Sequence, residues 1–157
     1  MNKQELLIAG FRDVLDKISW LNGQKMKAAF EGFHPSEIHS IEYIGKNPDS
    51  NVTRLAEAFY QTRGGISKIT KKLMQKGMIE SYQKPDNKKE IYFRLTPQGE
   101  SIYQIHAKLH MEFNARDKAV FEQMTDEESA VILDFLGNYS RHLDSEIAKQ
   151  NLNRPSH

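Results

Sequence analysis

The sequence predicts a mainly α (α+β) fold, and three observations within residues 51–99 carry that expectation. First, Val52, Leu55, Ala56 and Phe59 are spaced to form one apolar face of a short helix. Tyr60-Gln61-Thr62 interrupts it, and Ile66, Ile69 and Leu73 then mark the buried face of a second helix. The other side of that helix carries Arg63, Ser67, Lys68, Lys71 and Lys72. Second, Lys76-Gly77 closes it with a basic last turn and a residue suited to a left-handed cap. Third, residues 78–82 and 91–95 are rich in β-branched and aromatic side chains, as strands are, around a turn-prone basic tip, Pro85 to Glu90. Two short helices, the second basic on its outer face, followed by a basic hairpin outline a winged helix-turn-helix.

The flanking elements follow in order. Leu7, Phe11, Val14, Leu15, Ile18 and Leu21 recur at spacings of three and four, predicting a helix over the first thirty residues. Gly32-Phe33-His34-Pro35 breaks the chain, and Pro35 suits the first turn of a helix carrying Ile38, Ile41 and Ile44 to about Pro48. After the hairpin, Thr96 serves as N-cap and Pro97 as first residue of a long helix to about Glu122. Thr125-Asp126-Glu127-Glu128 is a capping box for a last helix reaching roughly Lys149. The expected organisation is a dimerisation helix over 1–34, a DNA-binding lobe over 35–99, dimerisation helices over 100–149 and a flexible tail over 150–157. A lobe of about 65 residues is too small to cover both terminal apolar stripes, Ile132, Phe135, Leu136, Tyr139, Leu143 and Ile147 being the second, so a second copy is the expected cover.

Composition narrows the function. With no cysteine, disulfides, thiolate metal sites and cysteine redox switches are excluded, and a reducing cytoplasm is the expected compartment. No run is long and apolar enough for a membrane span. The net charge is only +1, but between Arg63 and Arg94 nine Lys or Arg face three Asp or Glu. Positive potential is therefore concentrated where the helix and hairpin lie, and phosphate affinity follows local charge. The chain has no phosphate-binding Gly-Lys-Ser/Thr loop, cysteine nucleophile or serine elbow, so it is not expected to be an enzyme.

In four blocks the sequence resembles the MarR family of bacterial transcriptional regulators: Asn51 to Ala56, Thr62 to Ile69, Leu73 to Ile79 and Leu95 to Gly99. The resemblance implies a homodimer joined through the first, fifth and sixth helices, with double-stranded DNA as partner. It also implies release of DNA upon binding a small lipophilic ligand, an oxidant or a metal. Paired recognition helices would read a palindromic operator, as a repressor does. Arg63 is the expected base reader, since a guanidinium engages guanine bidentately. Ser67 is placed for a base or a phosphate, while Lys68, Lys71 and Lys72 are expected on phosphates. Gly64-Gly65 either lets the backbone approach the groove or relieves crowding against the neighbouring helix. The family's wing commonly has an Arg two positions after an Asp. Here Asp86 is followed by Asn87 and Lys88, so Lys88 and Lys89 are expected to add affinity with less discrimination.

Two kinds of effector fit the sequence, and no cofactor is required by either. His106 and His110 stand at i and i+4, a spacing that offers two imidazoles on one helix face to zinc. His39 is the candidate third ligand, with a carboxylate such as Glu31, Glu42 or Glu112 as fourth. A zinc-responsive branch of the resembling family uses one histidine of its second helix and two of its fifth, which His39, His106 and His110 match; its helix-1 glutamate has no counterpart in Leu21-Asn22-Gly23-Gln24. The alternative is a lipophilic effector among Trp20, Phe30, Phe33, Tyr43 and Phe113. Rival functions, a winged helix used only for protein contacts or a metal-dependent hydrolase on the histidines, leave the basic hairpin unexplained.

Overall fold

Each helix begins where a side chain satisfies its free N–H groups. In the structure, a computed structural model that describes residues 1–152, Asn2 caps α1 (Lys3–Ala29) in a reciprocal box with Glu5. His34 caps α2 (Pro35–Lys46), whose Pro35 opens the first turn. Asn51 caps α3 (Val52–Ala58) and Thr62 caps α4 (Arg63–Gln75). A hairpin of β1 (Ile79–Lys84) and β2 (Asn87–Leu95) follows, then α5 (Pro97–Glu122) and α6 (Asp126–Leu152). The chain divides into two compact units, one over Met1–Phe113 and one beginning at Asn114.

In the first unit the core forms where α2, α3, α4 and the hairpin meet. Ile38, Ile41 and Ile44 of α2, Leu55 and Ala56 of α3, and Ile66 and Leu73 of α4 are buried with Phe30, Ile79 and Phe93. The corner between α3 and α4 holds Tyr60 at a φ of 53°. That conformation costs a non-glycine residue about 1–2 kcal/mol, stored in the turn that sets α4 against α3. The end of α4 is a Schellman cap: Gly77 (φ 72°) donates to Met74 O, and Met78 donates to Leu73 O.

The restart into α5 is equally fixed. Thr96 Oγ1 donates to Gly77 O and accepts from Gly99 N at 3.1 Å. A Cβ on Gly99 would lie 1.9 Å from Met78 O, so the Thr96 to Gly99 turn packs against backbone and tolerates no side chain there.

The hairpin is longer than the sequence predicts. Pairing runs from Ile79↔Leu95 to Lys84↔Asn87, with an irregularity between Tyr82 and Lys84, and only Pro85-Asp86 turn. Lys88 and Lys89 therefore lie on β2 rather than in a loop. The polar run at 85–90 reads as a loop because strand signals assume one buried face. Here the tip of a two-stranded ribbon is solvated on both faces, and backbone pairing alone carries it. Ser50 O accepts from Phe93 N at 2.8 Å, tying the chain just before α3 to β2.

α1 has no buried residue, and Leu7, Val14, Leu15, Ile18 and Leu21 lie exposed along it. In the second unit, α6 opens with the expected box, Glu128 N donating to Thr125 Oγ1 and Thr125 N to Glu128 Oε2. α6 likewise buries none of its described side chains and exposes Ile132, Phe135, Leu136, Tyr139 and Leu143. It runs to Leu152, past the expected stop near Lys149 and into the segment expected as a tail; residues 153–157 of that tail lie outside the described residues. Among the described residues no helix is long and apolar enough to cross a membrane.

Candidate nucleic-acid interface

Alternation of burial along α4 separates its two faces. Ile66, Thr70 and Leu73 are buried against α2 and α3, whereas Arg63, Ser67, Lys68, Lys71 and Lys72 are all exposed. The exposed set sits at spacings of four and one, one stripe of a 3.6-residue helix. Arg63 is the first helical residue, so its guanidinium stands at the N-terminal end, the part of a recognition helix that reaches base edges. Thr62 Oγ1 takes up the Gly65 N–H at 3.1 Å.

The two glycines differ. A Cβ on Gly64 would meet nothing within 4 Å, so no neighbouring helix crowds it and packing does not require a glycine there. A Cβ on Gly65 would press Thr62 Oγ1, its own cap, at 3.2 Å.

The wing is braced by a residue that the sequence does not single out. Asp49, in the turn after α2 with φ 59°, accepts from Lys84 Nζ at 2.7 Å and from Tyr82 Oη, while its backbone O accepts from Arg54 Nη1 at 2.9 Å. The Lys84 ammonium and the Tyr82 hydroxyl hold its carboxyl below the usual range, and Asp49 in turn raises Lys84 and Tyr82. Only the tertiary approach of β1 creates this group; Pro48-Asp49 reads locally as an ordinary turn. Lys88 and Lys89 project exposed from β2, with Gln83 Nε2 donating to Lys88 O at 2.9 Å and Lys89 N to Asn87 Oδ1 at 3.2 Å.

The effector candidates separate as well. His106 is buried on α5, with Nε2 3.2 Å from Nε2 of the exposed His110. The carboxylate brought to them is Glu42 of α2, whose Oε2 lies 3.7 Å from His106 Nδ1. His39 is exposed on α2 and does not join this group. Among the candidate aromatics, Phe30 is in the core, Phe33 and Tyr43 pack against it, and Phe113 is buried with its ring 5.9 Å from His110. Trp20 is 67 % exposed.

Helix, turn, basic helix and braced hairpin define a winged helix-turn-helix, the architecture of DNA-binding transcriptional regulators. Residues 33–91 match the model of the MarR family. An uncharacterized HTH-type transcriptional regulator of Bacillus subtilis (strain 168), YhjH, is 36 % identical over 127 residues, covering 80 % of this chain and 70 % of the relative. PchR, another HTH-type transcriptional regulator of that organism, is 29 % identical over 148 residues, covering 85 % and 88 %. The fold is similar to that of Streptococcus pneumoniae FabT solved in complex with DNA: TM-score 0.79 and 22 % identity over 91 % of this chain and 99 % of that one. The chain belongs to the MarR family of transcriptional regulators.

Proposed function

We propose that the protein is a homodimeric, sequence-specific repressor that reads a palindromic operator in the cytoplasm. The observation that carries this reading is the single exposed stripe of α4, Arg63, Ser67, Lys68, Lys71 and Lys72, opposite a face buried in the lobe. Arg63 reads a base edge, Ser67 meets a base or phosphate, and the three lysines neutralise phosphates. Lys88 and Lys89 add charge from the wing. Gly64 lets the backbone come close to the groove, consistent with the open space around it.

The dimer is supported by the apolar rows on α1 and α6, too large to leave in water on a soluble regulator. Burying them between two copies removes both rows from solvent and sets two α4 helices in a two-fold relation. Repression asks nothing more of the chain than occupancy, since a bound dimer over a promoter excludes polymerase.

Selection of bound duplexes from a random pool tests the reading. The expected product is an inverted repeat with half-site centres about 10 bp apart, bound by two chains. Failure to enrich any sequence would overturn it and leave the winged helix as a protein-contact module.

A further inference from the structure

We propose that Tyr60, in the corner between α3 and α4, is a DNA-contact residue whose hydroxyl donates to a backbone phosphate at the edge of the groove that α4 enters. The contact rests on the docking of α4 proposed above and adds a neutral anchor beside the base reader.

Backbone chemistry does not call for a tyrosine in this corner. Tyr60 ends α3 as the left-handed residue of a Schellman cap: its N–H donates to Glu57 O at 3.4 Å, and the Gln61 N–H donates to Ala56 O at 3.0 Å. Glycine fills such a position without strain, whereas a Cβ at φ 53° crowds the following carbonyl oxygen.

Packing does not call for it either. The Tyr60 side chain is 65 % exposed, unlike the half-buried Phe59 before it, whose ring centre lies 5.8 Å from that of Tyr43. Among the described residues the Tyr60 hydroxyl has no hydrogen-bond partner and the ring no aromatic one. A strained backbone kept beneath an exposed, unpartnered side chain belongs to a use outside the folded lobe.

The location fits a DNA contact. Residues 60–64 are exposed without a break, from the corner into the first turn of α4. Tyr60 stands three positions before Arg63, the first helical residue. Gln61 folds back over that first turn, its Oε1 3.8 Å from where a Cβ on Gly65 would lie, so Tyr60 is the large side chain left projecting from the corner. A recognition helix enters the major groove by its N-terminal end, and the residues leading into it pass the row of phosphates at the groove's edge. Phosphate oxygens accept hydrogen bonds, and tyrosine hydroxyls are among the donors that bind them. With two side-chain torsions to order, the phenol loses little freedom on binding. A neutral donor also differs from the lysines of α4 in its effect. It fixes the register of the helix without releasing a counterion, so its share of the affinity persists as salt rises.

The test titrates the full chain, Tyr60→Phe and Tyr60→Gly on the selected operator duplex and on an unrelated duplex across a range of salt. Tyr60→Phe keeps the ring and the backbone and removes only the donor. Its thermal midpoint should match that of the wild type, while affinity falls about 3–10-fold per copy, hence about 10–100-fold for two chains on one duplex. Both duplexes should lose by the same factor, with the salt slope unchanged. Tyr60→Gly should bind at least as weakly while its thermal midpoint rises by about 2–4 °C, an opposition that a purely structural role would not produce. Wild-type affinity in Tyr60→Phe would overturn the contact. A lowered midpoint in Tyr60→Gly would show that the ring is kept for packing, and would overturn it too. A loss confined to one base position would place the hydroxyl on a base edge and overturn the phosphate assignment. Absence of DNA binding by the wild-type chain would overturn the docking of α4 itself, and the contact with it.

Discussion

Glu37 of α2 receives Lys76, the residue that ends the recognition helix: Lys76 Nζ lies 2.8 Å from Oε2 and 3.1 Å from Oε1. The same ammonium donates to Gly32 O at 2.8 Å and stands 4.6 Å from the centre of the Phe33 ring. One lysine thus fastens the C-terminal end of α4 to the start of α2. Burial pushes the Glu37 carboxyl up, but Lys76 and the His34 N–H outweigh it and hold the carboxyl below its ordinary value of 4.5. A carboxylate depressed on folding contributes stability that is fully present above that ordinary value and is lost as pH falls through the lower folded one. Glu37→Gln is therefore expected to cost about 1–2 kcal/mol near pH 7 and to flatten the loss of stability below pH 4.5. Urea midpoints at several pH values read both; an unchanged acid slope would remove Glu37 from the account.

Asp49 should matter to the wing rather than to the core. Asp49→Ala removes the acceptor of Lys84 and Tyr82 but leaves the hairpin ladder intact. Faster amide exchange confined to β1 and β2 is expected, with DNA affinity falling a few-fold for all sequences alike. A changed base preference would mean that Asp49 also aligns α4.

Gly64→Ala separates folding from binding. With open space around the added methyl, helix propensity should raise stability by about 0.5–1 kcal/mol. If the backbone lies close to the groove at this residue, affinity for DNA falls while the melting temperature rises. A rise in both would show that Gly64 faces away from DNA.

Arg63→Ala and Lys71→Ala should fail differently. Loss of a bidentate guanine contact costs about 1–3 kcal/mol of discrimination at one base position. Loss of a phosphate contact weakens all sequences equally and lowers the salt slope by about one unit. Binding profiles on operator and scrambled duplexes distinguish the two; an Arg63→Ala profile parallel to the wild type would mean that another residue reads the base.

Most of the lobe is legible in the sequence because its signals are local. Tyr60-Gln61-Thr62 interrupting the two helices, Gly77 after Lys76 and Thr96-Pro97 each mark an element end through local chemistry, and the structure places the ends there. Wing length is not local: residues 87–90 are polar on both faces, and only pairing with β1 makes them strand. The histidine cluster is half legible. His106 and His110 share a face by spacing alone, but whether His39 or Glu42 meets them depends on how α2 is rotated against α5. Burial of Ile38 and Ile41 turns His39 to solvent and Glu42 to the histidines. The Asp49 brace joins residues 33 and 35 positions apart, beyond any pattern of spacing.

DNA binding through the exposed face of α4 is tested by titrating the protein on the selected duplex across a range of salt. Nanomolar-scale binding by two chains is expected, with a log–log salt slope of several units that falls by about one for each phosphate-contacting lysine removed per duplex. Binding that is weak and indifferent to salt, with Lys68, Lys71 and Lys72 all dispensable, would contradict it.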